Sequence, residues 1–182
     1  MFNQAAVVAL RISLFRAGPQ DFPHSPALTR FTVALALLAA FLQYRMTLTD
    51  VQAVVHAVVW VAALAAFTYV LLQPRGLLNR LRQTLDSLYL TGSVLTLLML
   101  PPLYAIAPYM ARVADNPDLA RTEPLPALPA LLVTIASFWN FLIWAHIYRH
   151  ALDARPAAGA LVALLATVIT VSLAGAVGAL LS

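Results

Sequence analysis

Four histidines, seven acidic residues and eleven arginines are nearly all the ionisable chemistry that these 182 residues offer, and there is no cysteine. Without cysteine there is no disulfide, no thiolate metal site, no thiol nucleophile and no thiol for lipidation. His56 and His146 are the candidate metal or haem ligands. Each sits in an apolar stretch, at depths that differ by most of a membrane, and neither has a carboxylate nearby. A zinc ligand must lie about 2 Å from the metal, so one ion cannot use both. The sequence therefore predicts no metal and no cofactor, with both histidines hydrogen-bonded near an interface. A haem-bearing redox subunit would need a partner's ligand to complete either one.

His150-x-x-Asp153 is the nearest approach to an acid–base motif, and beside Arg149 and Arg155 it reads as a charged turn. There is no Gly-x-Ser-x-Gly, no HExxH, no paired aspartates and no glycine-rich phosphate loop. No catalytic residue is expected, and the chain reads as something other than an enzyme.

Uncharged polar chemistry is better represented. Asn140 is the most central strongly polar residue of its apolar stretch, sharing a helical face with Ser137 and Trp144. An amide there either clamps the bundle through another helix, a bond of about 0.6 to 2 kcal/mol, or lines a polar path with Ser93, Thr96 and Ser137. The clamp is the expected role. Asp86 lies near the start of another stretch, where the helix dipole favours an acid and Arg82 is four residues away, so a structural role is expected for it.

What positions these residues follows from composition. The chain is 62% hydrophobic and 10% charged, where soluble domains carry about 25% charged residues. Uncharged windows cover 31–44, 51–74, 87–111, 124–148 and 156–182. Crossing about 30 Å of hydrocarbon takes roughly 20 helical residues. The expected fold is all-α, a single integral membrane domain of five spans at about 26–44, 51–72, 85–107, 127–148 and 157–181. Residues 1–25 form an N-terminal interfacial segment, retained rather than cleaved because Arg11 interrupts its apolar run and no positive charge precedes it.

Arginine placement supplies orientation. If the short first span crosses, Arg11, Arg16, Arg30, Arg75, Arg80, Arg82, Arg149 and Arg155 share one side, while Arg45, Arg112 and Arg121 take the other. The positive-inside rule then puts the N-terminus in the cytoplasm and the C-terminus outside. The net charge of +4 is an orientation signal, so no nucleic-acid partner is implied.

Between the second and third spans, 73–84 is expected as an interfacial amphipathic helix. Leu77, Leu78 and Leu81 would rest in the acyl boundary while Arg75, Arg80 and Arg82 meet headgroups, with Gly76 as the bend. Pro101 and Pro102 are expected to end or sharply kink the third span, and the proline-rich 108–126 to form an extended outer loop. In the last span Ala166, Thr170, Ala174 and Gly178 recur at every fourth position beside Gly175. Such a small-residue face suits docking against a partner subunit, a second copy or the protein's own helices.

Five spans in this orientation, with a small-residue last helix, resemble the layout of the Yip family of small integral membrane proteins over 26–182. The stretch Gly18-Pro19-Gln20-Asp21-Phe22-Pro23-His24-Ser25-Pro26 is similar to that of proteobacterial inner-membrane proteins. The resemblance implies a membrane-organising or partner-binding protein. The sequence thus predicts a non-catalytic inner-membrane scaffold or accessory subunit that docks through Asn140 and the last span onto a membrane protein partner or a second copy. The alternative is a small transporter or channel with a polar path near Asn140.

Overall fold

A computed structural model describes residues 2–181, and every regular element among them is helical. Five of the helices are long and apolar enough to cross a membrane. The first helix, α1 (Phe2–Ser13), lies across the bundle. Its residues Ala5, Val8, Ala9 and Ile12 are buried at helical spacing, while Val7, Leu10 and Leu14 face outward. Trp139 donates its indole hydrogen to the Ser13 carbonyl at 3.1 Å, and Phe15 packs edge-on to His146. Phe15 takes a left-handed φ of 58°, closing the helix as the Arg16 amide bonds back to the Arg11 carbonyl.

The first spanning helix, α2 (Pro26–Tyr44), has 19 residues and starts where the short first span was expected. Ser25 caps it by accepting from the Leu28 amide, and Pro26 fills the first turn, where its missing N–H costs nothing. Helix α3 (Asp50–Leu72) starts with a capping box in which Thr49 and Gln52 each satisfy the other's amide.

The connection from α3 differs from the expected amphipathic helix over 73–84. Gly76, at φ 68°, ends the helix, with the Leu77 amide bonded to the Leu72 carbonyl and the Gly76 amide to the Gln73 carbonyl. Left-handed backbone there breaks the helical path, so 73–75 and 78–80 form separate 3₁₀ turns. Leu81 and Arg82 already belong to the next span, α4 (Leu81–Asp115). Leu77, Leu81 and Leu85 pack on the protein core rather than forming a separate lipid-facing stripe, and Leu78 is exposed.

Helix α4 is also longer than expected, 35 residues or about 52 Å. It continues through Pro101, Pro102 and Pro108. Each proline removes one backbone bond, and the remaining turns hold the helix through them. The segment expected as an extended outer loop is mostly the end of α4 and the single turn α5 (Leu119–Thr122). It folds back on α4 through an Arg112–Glu123 ion pair of 2.9 Å and a bond from the Tyr109 hydroxyl to the Glu123 carbonyl.

Two more spans complete the bundle, α6 (Ala127–Ala151) and α7 (Pro156–Leu181). Arg80 joins the turn between them to α4. Its guanidinium donates to the carbonyls of His150 and Ala151 at the end of α6 and pairs with Asp153 at 2.7 Å. A Cβ on Gly159 would meet the Ala145 carbonyl oxygen, so glycine permits the close crossing of α6 and α7.

The spans close into a ring. Helix α2 packs on α3, α3 on α7, α7 on α6, α6 on α4, and α4 returns to α2. Toward the arginine-rich end, which holds the turns at 73–80 and 152–155, the middle of the ring is solid. Leu64, Leu88, Ile147 and Tyr148 are fully buried there. Tyr148 shares a hydrogen bond with Thr68, and Tyr89 donates to the Val61 carbonyl at 2.7 Å.

Candidate functional site

The other half of the ring is open. A cleft of about 260 Å³ runs from Trp60 and Trp144 near mid-bundle toward Gln43 and Tyr44 at the far end of α2. All five spans line it. Thr96 and Leu95 come from α4, Ser137, Asn140 and Trp144 from α6, and Thr167, Thr170 and Val171 from α7. A smaller space of about 30 Å³ adjoins it and shares Gln43, Tyr44, Trp60 and Thr96, with Ser93 on its wall. The four residues of the candidate polar path, Ser93, Thr96, Ser137 and Asn140, therefore lie around this pair of spaces.

Asn140 is about 20 Å along α6 from Ala127 and about 17 Å from Ala151, close to the midpoint of the span. Its Oδ1 and the Trp144 Nε1 are buried with no hydrogen-bond partner. The interhelical clamp expected of Asn140 thus has no donor at that oxygen. Both atoms face Gly92 of α4. A Cβ there would lie 3.7 Å from Trp144 Nε1 and 4.0 Å from Asn140 Oδ1. A polar atom left unpaired in an apolar interior costs a few kcal/mol.

The buried hydroxyls nearby are satisfied within their own helices. Thr91 donates to the Ser87 carbonyl, Ser93 to the Tyr89 carbonyl and Thr170 to the Ala166 carbonyl. The lining is neutral throughout, and Trp60 and Trp144 stack at a tilt with ring centroids 6.2 Å apart. Such a wall presents aromatic faces and a few neutral polar atoms, the usual composition of a small-molecule site.

Asp86, in the solid half, has the opposite environment. It is buried, with its two oxygens accepting from the hydroxyls of Thr29 at 2.9 Å and Thr32 at 2.7 Å. The sequence pointed to Arg82 as its partner. Among the described residues no ion pair joins them, and the donors come instead from α2. Their signal in the sequence was two threonines three residues apart, hence on one helical face.

The histidines are engaged by protein. His56 Nδ1 lies 2.7 Å from the Gln52 carbonyl oxygen, with Tyr44 beside the ring and Gly178 under it. His146 Nε2 lies 2.9 Å from the Ala17 carbonyl oxygen, and its ring packs against His150. No group of three potential metal-ligating side chains occurs among the described residues.

Ala166, Thr170 and Ala174 are buried within the chain's own bundle. Gly178 packs on His56, and Gly175 faces open space. Of the expected membrane-surface residues, Arg75, Leu78 and Arg82 are exposed, whereas Arg80 is tied to Asp153 and Leu77 and Leu81 pack inward. No family model, curated protein or solved structure matches the chain. Its function is therefore argued from this geometry.

Proposed function

We propose that this is a multi-pass protein of the bacterial inner (cytoplasmic) membrane, N-terminus inside and C-terminus outside, which holds a small uncharged molecule in the cleft without catalysis, as a small transporter or channel would. One observation carries the reading. A cleft that all five spans line, with Asn140 and Trp144 among its lining residues, opens beside two polar atoms, Asn140 Oδ1 and Trp144 Nε1, that are buried and unpaired. The neutral lining supports an uncharged occupant, because a charge taken from water into such a site has no counter-ion to offset its desolvation.

The absence of native cysteine makes the test direct. In reconstituted vesicles, Ser137→Cys and Thr96→Cys are expected to react with N-ethylmaleimide, while Leu88→Cys in the solid half is not. Protection of all three would overturn the reading. A membrane-impermeant thiol reagent applied to single cysteines at positions 76 and 47 of the protein in intact cells tests the orientation. Labelling at 47 and not at 76 is the expected result.

The scaffold or accessory-subunit reading keeps one supporting observation, the open space at Gly175 on the outward side of α7. It accords with the Yip-like layout. Under it, the protein in mild detergent associates with a membrane protein partner or a second copy, and Gly175→Leu weakens that association. A monodisperse single chain unaffected by the substitution counts against it.

A further inference from the structure

We infer that the protein binds one anionic phospholipid of the leaflet at its arginine-rich end, with the phosphate on Arg82 and an acyl chain in the groove below it. A groove of about 480 Å³ runs between α2, α3 and α4, and it shares no lining residue with the cleft. It extends from Thr29 to Leu37 on α2, from Ala65 to Val58 on α3 and from Leu81 to Tyr89 on α4. Each of these segments covers about 11–12 Å along its helix. That is nearly the depth of one leaflet's hydrocarbon, about half of the roughly 30 Å core. Val58 and Ala62 are exposed, so the groove is open to the side rather than sealed.

Its wall is apolar where a chain would lie and cationic where a headgroup would. The two hydroxyls on it are committed within the protein, Thr29 to Asp86 and Tyr89 to the Val61 carbonyl. Among the described residues that line the groove, Arg82 alone is charged, and it is exposed at the end where α4 begins. The acids of this end are engaged elsewhere, Asp86 with Thr29 and Thr32 and Asp153 with Arg80. Arg30 and Arg75, also exposed, add positive charge beside the same three helices. A guanidinium takes a phosphate through paired N–H donors. In phosphatidylethanolamine an ammonium that these arginines repel offsets the phosphate, whereas phosphatidylglycerol carries the negative charge alone. A partner helix fits the groove less well. Helices are about 10–12 Å across, so a 12 Å length fills roughly 900–1,400 Å³, about twice the groove or more. An acyl chain is a single file of methylene groups and fits lengthwise.

The test places the full chain in phosphatidylcholine nanodiscs with a trace of phosphatidylglycerol that carries a diazirine on its acyl chain. After irradiation, the labelled peptides are mapped by mass spectrometry. Labelling is expected to concentrate on 29–37, 58–65 and 81–89. Unlabelled phosphatidylglycerol should suppress it at least about fivefold more effectively than phosphatidylethanolamine, the effect of one arginine near the surface. Arg82→Gln should remove most of that preference, and Ala62→Phe, which puts a ring into the groove, should reduce labelling whichever lipid competes. Both positions are exposed, so neither variant disturbs the core. Labelling spread evenly over all five spans, or equal suppression by the two lipids, would overturn the proposal. Competition by soluble glycerol 3-phosphate would also overturn it, assigning Arg82 to a free phosphate. An unlabelled groove in a chain that runs as a dimer would give the groove to a second copy instead.

Discussion

The two ends of the helix ring treat buried polarity in opposite ways. Toward the arginine-rich end, Asp86 has a hydroxyl donor on each oxygen, and Thr68, Tyr148 and Tyr89 are all paired. Beyond the middle, Asn140 Oδ1 and Trp144 Nε1 are buried with no partner, in two residues that line a cleft. The first end has the character of a finished core, in which polar groups lock one helix to another. The second has the character of a site, where polar atoms are left unpaired beside a cleft and stability is given up. In the middle of the ring, Leu64, Leu88, Ile147 and Tyr148 fill the first end, and the cleft of about 260 Å³ opens in the second.

The largest expected effect attacks the finished end. Replacing both Thr29 and Thr32 with valine keeps the shape and removes both donors from Asp86. The loss should be about 3 kcal/mol or more, read as a lower unfolding midpoint in detergent. A loss under about 1 kcal/mol would show that Asp86 finds other donors and that the end is less rigidly specified.

Packing gives the next contrast, within one helix. Gly159→Leu drives a side chain into the backbone of α6 and should cost about 1–3 kcal/mol or prevent folding. Gly175→Leu enters open space and should stay within about 0.5 kcal/mol. Similar losses at both positions would mean that the far part of α7 is as tightly enclosed as the near part.

Arg80→Ala removes the Asp153 pair and the donors to the end of α6, at a partly exposed site where solvent screens the charges. A loss of about 0.5–1 kcal/mol is expected, decreasing as salt is added. The smallest change belongs to the open half. Asn140→Leu should be neutral or raise stability by about 1 kcal/mol or less, since it removes an acceptor that has no donor. A loss as large as that of the Thr29, Thr32 double variant would give Asn140 the clamping role and dissolve the contrast between the ends.

The site was only partly legible beforehand. Ser93, Thr96, Ser137 and Asn140 stood out because polar side chains are rare in spans. Thr167 did not, and Thr170 entered only as part of a docking face, because a threonine within an apolar helix reads equally as close packing. The Asp86 donors were missed for a related reason, as sequence neighbours on α4 drew attention from α2, more than 50 residues away.

The sequence by itself determined the five apolar helices, because hydrocarbon excludes charge and each crossing needs a fixed length of uncharged chain. It also determined where several of them start and stop, through Ser25, Pro26, Thr49, Gln52 and Gly76, since capping is local chemistry. Only the tertiary structure decided which faces turn inward. Helices α3, α6 and α7 are apolar on nearly every side, so no amphipathic stripe orients them and close packing sets their rotation. That rotation brings Asn140 and Trp144 opposite Gly92, puts Asp86 against two threonines, and leaves one end of the ring filled and the other open.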